Sequence, residues 1–142
     1  HNITSSFAEK ETISKYYFID NGLLNLFLID SETSLLENLV AITLFRKYGH
    51  DKDNERVFFY NSNVEVDFYI PEEETAIQVS YSISANDSTY EREVTALQKL
   101  PATLVCHKRL IITYDEEQTI KDDFGEIQVL PYWKWCLELF FD

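Results

Sequence analysis

The stretch from Glu65 to Ile83, EVDFYIPEEETAIQVSYSI, decides the fold that the rest of the chain supports. It predicts two antiparallel β-strands joined by a short acidic loop over Pro71–Glu74. With a loop of that length, Asp67 lies opposite Gln78 on the neighbouring strand. Opposed residues have Cβ atoms roughly 4.5–5.5 Å apart, so a carboxylate and an amide carbonyl could share one hard cation there. An ordinary hairpin with a polar outer face is the structural alternative.

Side-chain alternation assigns the two faces of this hairpin, because a slip of one residue would turn every side chain over. On the first strand, one face takes Val66, Phe68 and Ile70, and the other takes Glu65, Asp67 and Tyr69. On the second strand, Ile77, Val79 and Tyr81 oppose Ala76, Gln78, Ser80 and Ser82. The full register pairs Ile70 with Thr75, Asp67 with Gln78, and Glu65 with Ser80.

Composition indicates one ordered, acidic domain. The 142 residues include 15% aromatic side chains but three glycines and three prolines, which argues against disorder. The formal net charge is −13. Such a charge opposes unaided attachment to DNA, which depends on Lys and Arg displacing counterions from phosphates. A nucleic-acid role would need a basic partner, a local basic stripe or a bound divalent metal.

The start of the chain, its hydropathy and its two cysteines indicate the context and the compartment of the domain. The chain begins at His1 and contains no Met, which suggests a piece of a longer polypeptide. Residues 1–14 read as a linker or the edge of a missing N-terminal region. No apolar run approaches the ~18 residues of a membrane span. Cys106 and Cys136 lack metal-ligand spacing, so reduced thiols in a cytoplasmic protein are expected.

Two helices carry clear boundary signals. The first is predicted over Ser34–Tyr48, closed by Gly49, with Ser34 and Glu37 at the spacing of a capping box. That cap is a structural reason for Glu37 to be present. The second opens at Asn86–Ser88, where Ser88 and Glu91 repeat the spacing, and it ends at Pro101.

The remaining segments complete an α/β pattern, and strands that alternate with helices predict a mixed central sheet flanked by helices on both faces. Extended or strand segments are expected at Lys15–Asp20, Val57–Tyr60, Arg109–Tyr114 and Glu126–Leu130, with an acidic connection over Asp115–Gly125. A short helix is expected around Leu23–Phe27. A terminal helix, YWKWCLELFF, is expected to begin with Pro131 at its first position, with Trp133, Cys136, Leu137 and Phe140 on one face.

Several common site signals are absent or weak. No P-loop or G-x-G-x-x-G motif occurs. His50 and His107 are expected to be structural or solvated, and the adjacent Cys106 and His107 would point to opposite faces of a strand. The acidic pairs in Glu72–Glu74 and Glu116–Glu117 are expected to be solvated turns.

Seven blocks of the chain together resemble a known family. They run in the family's order and cover the chain from about Lys15 to its end. They are similar to the C-terminal domain of unknown function 4143 that follows an AAA+-type ATPase module, a branch of the PD-(D/E)XK nuclease-like superfamily. The blocks are KYYFIDNGLLN (Lys15–Asn25), LLENLV (Leu35–Val40), EVDFYI (Glu65–Ile70), AIQVSYSI (Ala76–Ile83), EREVTAL (Glu91–Leu97), LIITYDEE (Leu110–Glu117) and VLPYWKW (Val129–Trp135).

The resemblance implies a restriction-endonuclease-like fold for residues 15–142, an ATP-binding parent protein and a degenerate site. Glu37 corresponds to the helix glutamate of the nuclease site, Asp67 to its aspartate, and Gln78-Val79-Ser80 to the E/Q-x-K tripeptide. Glu37, Asp67 and Gln78 would then be ligands of a weakly bound Mg²⁺, which hydrolysis of a phosphodiester requires. Ser80 stands where the lysine would position water and offset developing charge.

The missing lysine leaves three functional readings open. Loss of one charged transition-state donor typically costs ~10²–10³ in rate. One reading is a non-cleaving docking or regulatory module of the ATPase that binds protein or nucleic acid. A second is a Mg²⁺-dependent nuclease with a displaced lysine, for which Lys99 and Lys108 are candidates. In a third, Asp67 and Glu37 are purely structural: Asp67 caps a turn or pairs with Arg92, and Glu37 completes its capping box.

Overall fold

The computed structural model describes residues 32–49, 56–61, 64–84 and 86–141 of the 142-residue chain. The strand predicted over Lys15–Asp20, the short helix predicted around Leu23–Phe27, and residues 1–14 lie outside the described residues. Among the described residues, none of the helices combines the length and the hydrophobicity of a transmembrane span.

The described elements alternate between helix and strand. The helices are α1 (Glu32–Tyr48), α2 (Asp87–Lys99) and α3 (Tyr132–Phe141), and short 3₁₀ turns cover Pro71–Glu73 and Leu100–Ala102. The strands are β1 (Phe58–Asn61), β2 (Glu65–Ile70), β3 (Thr75–Val79), β4 (Lys108–Thr113), β5 (Gln118–Asp122) and β6 (Gly125–Pro131).

These strands form one mixed sheet in the order β1-β2-β3-β4-β6-β5. Strands β3, β4 and β6 run parallel to one another, whereas β1, β2 and β5 join by antiparallel pairing. The central strands are almost continuously apolar, and β4 is buried from Arg109 to Thr113. Such strands are typical of a parallel sheet covered on both faces.

Two apolar cores, one on each face, hold the helices against the sheet. On one face, α1 and α3 pack on the sheet through residues such as Leu44, Ile77 and Trp135. On the other face, α2 packs through Val94 and Leu97. The predicted α/β class, with a mixed sheet flanked by helices on both faces, is therefore confirmed for the described part of the chain.

The predicted helices and most strands are present, with small boundary shifts. Gly49 adopts φ +78° and donates its N–H to Phe45 O at 2.8 Å, as expected for a residue that ends a helix. Pro131 belongs to the end of β6, so the terminal helix begins one residue later than predicted. The connection over Asp115–Gly125 was predicted without a strand, but it contains β5, whose side chains are mostly exposed and polar.

Both predicted capping boxes are wrong. Helix α1 already includes Glu32, so Ser34 lies inside its first turn and cannot be the N-cap. At α2 the N-cap is Asn86, whose side chain accepts from the N–H groups of Ser88 and Thr89. Neither helix therefore begins with the capping box that the sequence predicted.

Two acidic turns predicted to be solvated make specific contacts. Tyr48 donates to Glu73 Oε2 at 2.6 Å, and Arg56 pairs with Glu72. The carboxylate of Glu116 accepts from the Ile83 N–H at 2.7 Å and from the Ser82 hydroxyl at 2.9 Å. These contacts connect the hairpin turn to α1, and the segment after β3 to the segment after β4.

Candidate functional site

The β2–β3 hairpin has the predicted register over its paired part. Ile70 lies opposite Thr75, and the ladder continues to Phe68 opposite Ile77. Glu74 takes a left-handed conformation, φ 50°, which closes the turn after the 3₁₀ segment. The backbone ladder stops before the predicted Asp67–Gln78 and Glu65–Ser80 pairs.

A β-bulge interrupts β2 at Asp67. Phe58 pairs with Tyr69, but Tyr60 pairs with Val66, so one residue of β1 faces two of β2. Val66 consequently packs in the core under α2, whereas Phe68 packs in the core under α1. The predicted alternation, which placed them on one face, is wrong here because the bulge adds half a period.

Side chains replace the backbone ladder beyond the bulge. Asp67 Oδ2 accepts from the Val79 N–H at 2.8 Å, and the Asp67 N–H donates to Gln78 Oε1 at 2.9 Å. Gln78 Nε2 donates to Glu65 O at 3.2 Å. The two predicted site residues therefore lie in the gap between the strands, and each is bonded to the opposite backbone.

Glu37 lies on α1, and its charge acts on this gap. The first turn of that helix is held near the carboxyl end of β3, because the Tyr81 N–H donates to Thr33 Oγ1 at 3.0 Å. Burial raises the pKa of Asp67 well above its usual range, and the negative charges of Glu37 and then Glu93 raise it further. The charge of Glu37 thus acts on Asp67, and the ligand roles that the resemblance implies for the two residues stay a prediction.

Glu93 is an additional acid that the sequence reasoning missed. Its side chain is 12% exposed, and burial raises its pKa, against the opposing charge and hydrogen bond of Arg92. The charge of Glu37 also raises it. Glu93 stands two residues after Glu91 in the block EREVTAL, and its position in the turn of α2 that contains buried Val94 was the available signal.

The gap opens into a cavity of about 340 Å³ between β2, β3 and α2. Its walls carry both signs of charge, with acids from the sheet and from α2 and bases from α2. The lining residues are Val64, Glu65, Asp67, Gln78, Arg92, Glu93, Thr95, Ala96 and Lys99. Arg92 forms its ion pair with Glu93, not with Asp67 as one sequence hypothesis had it.

Ser80 and the two candidate lysines have separate surroundings. Ser80 is buried, and its hydroxyl donates to Ser82 O at 3.0 Å. Lys99 lines the cavity. Lys108 lies at the opposite end of β3, where it pairs with Thr75, so Lys99 is the better-placed cation of the two.

The donor set fits a hard cation only in part. Glu37 and Asp67 offer carboxylate oxygens, and Gln78 Oε1 keeps one lone pair after accepting from Asp67. Within the described ranges, no three His, Cys, Asp or Glu side chains form a group that could hold a metal ion.

The fold and the cavity define an α/β domain with a mixed sheet. Its cavity, lined by Asp67 and Glu93, lies at the open end of the β2–β3 hairpin, where the backbone ladder has stopped. The chain is 38% identical over 134 residues to the uncharacterized protein MJ1544 of Methanocaldococcus jannaschii. The match takes 87% of this chain and 29% of that protein, so the chain spans less than a third of its relative's length. No protein-family model and no solved structure matches the chain.

Proposed function

We propose that this chain is a degenerate PD-(D/E)XK nuclease-like domain that binds a partner without cutting nucleic acid. The supporting observation is the internal use of the polar groups at the site. The amide of Gln78 is bonded at both ends to the backbone of β2, and the hydroxyl of Ser80 is bonded to Ser82 O. These hydrogen bonds stabilise the open end of the hairpin. Buried Ser80 occupies the position at which the family has its catalytic lysine.

The restriction-endonuclease-like fold is part of the same proposal. It is supported by the order of α1, the antiparallel strands β1 to β3, α2 and the parallel strand β4. It is also supported by the hydrogen bond between Asp67 and Gln78 and by the charge of Glu37, on a third element, which acts on Asp67.

The proposed partner is the ATPase domain of an AAA+-type parent chain, with a further protein or nucleic acid as the other ligand. The match to MJ1544 leaves most of that longer protein unaligned, so there is room for another domain beside the region similar to this chain. We also propose a cytoplasmic setting, which the free thiols of Cys106 and Cys136 support.

A Mg²⁺-dependent nuclease is the second candidate, and Lys99 is the observation that favours it. Lys99 lines the same cavity as Asp67 and Gln78, so a displaced lysine is available. Glu37, Asp67 and Gln78 would hold the ion, and its charge would oppose the burial and the repulsion that raise the pKa of Asp67. A bound Mg²⁺ polarises a phosphoryl oxygen and lowers the pKa of bound water.

A cleavage assay separates the two candidates. The chain, an Asp67→Asn/Glu37→Gln variant and a Lys99→Met variant are incubated with single- and double-stranded DNA and RNA in Mg²⁺ or Mn²⁺. Glu91→Gln is the matched control, since Glu91 is exposed on α2 and does not line the cavity.

We expect no cleavage above the level of the double variant. Cleavage by the chain and by Glu91→Gln that both the double variant and Lys99→Met lack would overturn the non-cleaving proposal and establish the nuclease. A melting temperature that Mg²⁺ raises in the chain but not in the double variant would show metal binding without cleavage.

A further inference from the structure

Helix α3 presents four large apolar side chains on the side away from the sheet. Trp133, Leu137, Phe140 and Phe141 are 60, 50, 44 and 80% exposed, respectively. Their spacing places them on one stripe of the helix, whereas Trp135 on the opposite side is buried in the core. Among the described residues, the cation of Lys47 lies 5.8 Å from the ring centroid of Phe140 at one edge of this stripe.

The area of this stripe is large enough to matter for binding. With ~200 Å² for each aromatic side chain, the exposed fractions of the three aromatic residues correspond to roughly 350–400 Å². The largest apolar patch of an ordinary monomer covers ~300–600 Å² and often has a binding role. Two such stripes face to face would bury roughly 800 Å², which is below the standard interface size and indicates a weak complex.

The stripe is self-complementary about Leu137. In an antiparallel pair of α3 helices with a two-fold axis at Leu137, Trp133 of one copy lies against Phe141 of the other. Phe140 lies three residues after the axis, level with Lys134 of the other copy. A two-fold pairing therefore covers Trp133, Leu137 and Phe141 with apolar residues of the other copy.

The charges beside the stripe favour the same arrangement. Lys134 and Glu138 lie one turn apart on one flank of α3, and within its own chain Lys134 pairs with exposed Glu117. In an antiparallel two-fold pair the same flanks face each other, so Lys134 of each copy lies near Glu138 of the other. Local charge complementarity thus selects a second copy, although the net charge of −13 on each chain weakens the association.

We propose that a second copy of this chain docks on the exposed stripe of α3 and forms a weak two-fold dimer with antiparallel α3 helices. This surface lies on the opposite face of the sheet from α2 and its cavity, because α3 packs with α1. The dimer is therefore independent of the function proposed for the cavity.

Sedimentation equilibrium of the chain tests the proposal at ~150 mM NaCl, where the Debye length of ~8 Å limits the repulsion between the two acidic chains. Between ~10 μM and ~1 mM chain, we expect a monomer–dimer equilibrium. Leu137→Glu should weaken it at least tenfold, because two carboxylates would meet at the axis. The matched control is Phe124→Glu, since Phe124 is 58% exposed in the β5–β6 turn and should leave the equilibrium unchanged.

A charge-swap series tests the antiparallel arrangement. Lys134→Glu and Glu138→Lys should each weaken the dimer, and the double variant should restore it, because each copy then again offers opposite charges. Circular dichroism checks that each variant is folded. A monomer at every concentration, equal weakening by Phe124→Glu, or failure of the double variant to recover would overturn the proposal.

Discussion

Two aspartates of this domain have pKa values shifted in opposite directions by their surroundings. Asp67 is half-buried, and its burial, together with the charges of Glu37 and Glu93, raises its pKa well above the usual range. Asp122 forms a bidentate pair with Arg109, with distances of 2.6 and 2.8 Å, and these hydrogen bonds lower its pKa. The first arrangement costs stability at neutral pH, as functional sites often do, whereas the second contributes stability.

Asp67→Asn should stabilise the domain. The raised pKa means that the folded chain holds a proton that the unfolded chain releases above about pH 4, so the contribution of Asp67 falls as pH rises toward its folded pKa. Asn removes the charge and can still accept from the Val79 N–H. We expect a melting temperature roughly 2–8 °C higher at pH 7.5, a range that corresponds to ~1 kcal/mol.

The gain from Asp67→Asn should shrink as the pH approaches 4, which thermal melts across pH 4–8 would measure. A variant that is less stable than the parent at pH 7.5 would instead establish the purely structural role of Asp67.

Asp122→Asn should destabilise the domain by about 3 kcal/mol at pH 7, because it leaves the buried guanidinium of Arg109 without its charge partner. Because the pKa of Asp122 is lowered, its contribution to stability has the opposite pH dependence to that of Asp67. The stabilisation is present above the unfolded pKa of about 4 and is lost as pH falls through the folded pKa. Urea unfolding should show a smaller difference in the free energy of unfolding between the chain and Asp122→Asn at pH 3 than at pH 7. Asp123→Asn, at an exposed position, is the neutral control. A difference that does not change with pH would contradict this account.

At the scale of the elements, the open end of the β2–β3 hairpin depends on the side-chain amide of Gln78. Gln78→Leu should cost about 2 kcal/mol, because the Asp67 N–H and Glu65 O lose the partners that replace the ladder. Gln128→Leu on β6 is the control, since its hydrogen bonds are long, at 3.4–3.5 Å. Chemical denaturation would measure the free energy of unfolding of both variants. Equal losses would show that the open end of the hairpin does not depend on Gln78.

Helix α2 offers a direct comparison between two caps. Asn86→Ala should reduce the free energy of unfolding by about 1 kcal/mol, because the N–H groups of Ser88 and Thr89 lose their acceptor. Ser88→Ala should change it by only a few tenths. The reverse order, measured by urea unfolding, would restore the capping box that the sequence predicted.

The elements were predictable from local patterns, and the failures have specific physical causes. The buried strand β4, the helix ending at Gly49 and the turn after Ile70 follow from apolar runs and turn residues. Strand β5 was missed because its exposed edge position allows the polar sequence QTIKD. The bulge at Asp67 depends on how β2 pairs with β1, and the sequence of β2 alone does not specify that pairing.

The candidate site was predictable only in part. The proximity of Asp67 and Gln78 followed from the hairpin register, although a side-chain hydrogen bond takes the place of the predicted backbone pair. Glu93 and Lys99 reach the cavity through the packing of α2 on the sheet. That packing is a tertiary relation, and the spacing of residues within α2 does not specify it.

For the whole molecule, the net charge of −13 acts as a general repulsion. Raising NaCl from ~20 to ~500 mM should raise the melting temperature, because a shorter Debye length screens the repulsion between acids. A Glu91→Gln/Glu126→Gln variant, which removes two exposed acids, should show a smaller rise. Scanning calorimetry would measure both, and a flat or falling dependence would mean that surface ion pairs outweigh the repulsion.

The bulge in β2 also affects how relatives of this domain are compared. Because two residues of β2 occupy the span of one, a relative with a regular strand needs one residue fewer between the positions of Val66 and Tyr69. An ungapped alignment with such a chain would shift every preceding position of β2 by one. In that relative, the residue aligned with Asp67 would sit on a face of the sheet and not between the strands. Segment length at this point is therefore a better marker of the acidic cavity than the presence of an aspartate.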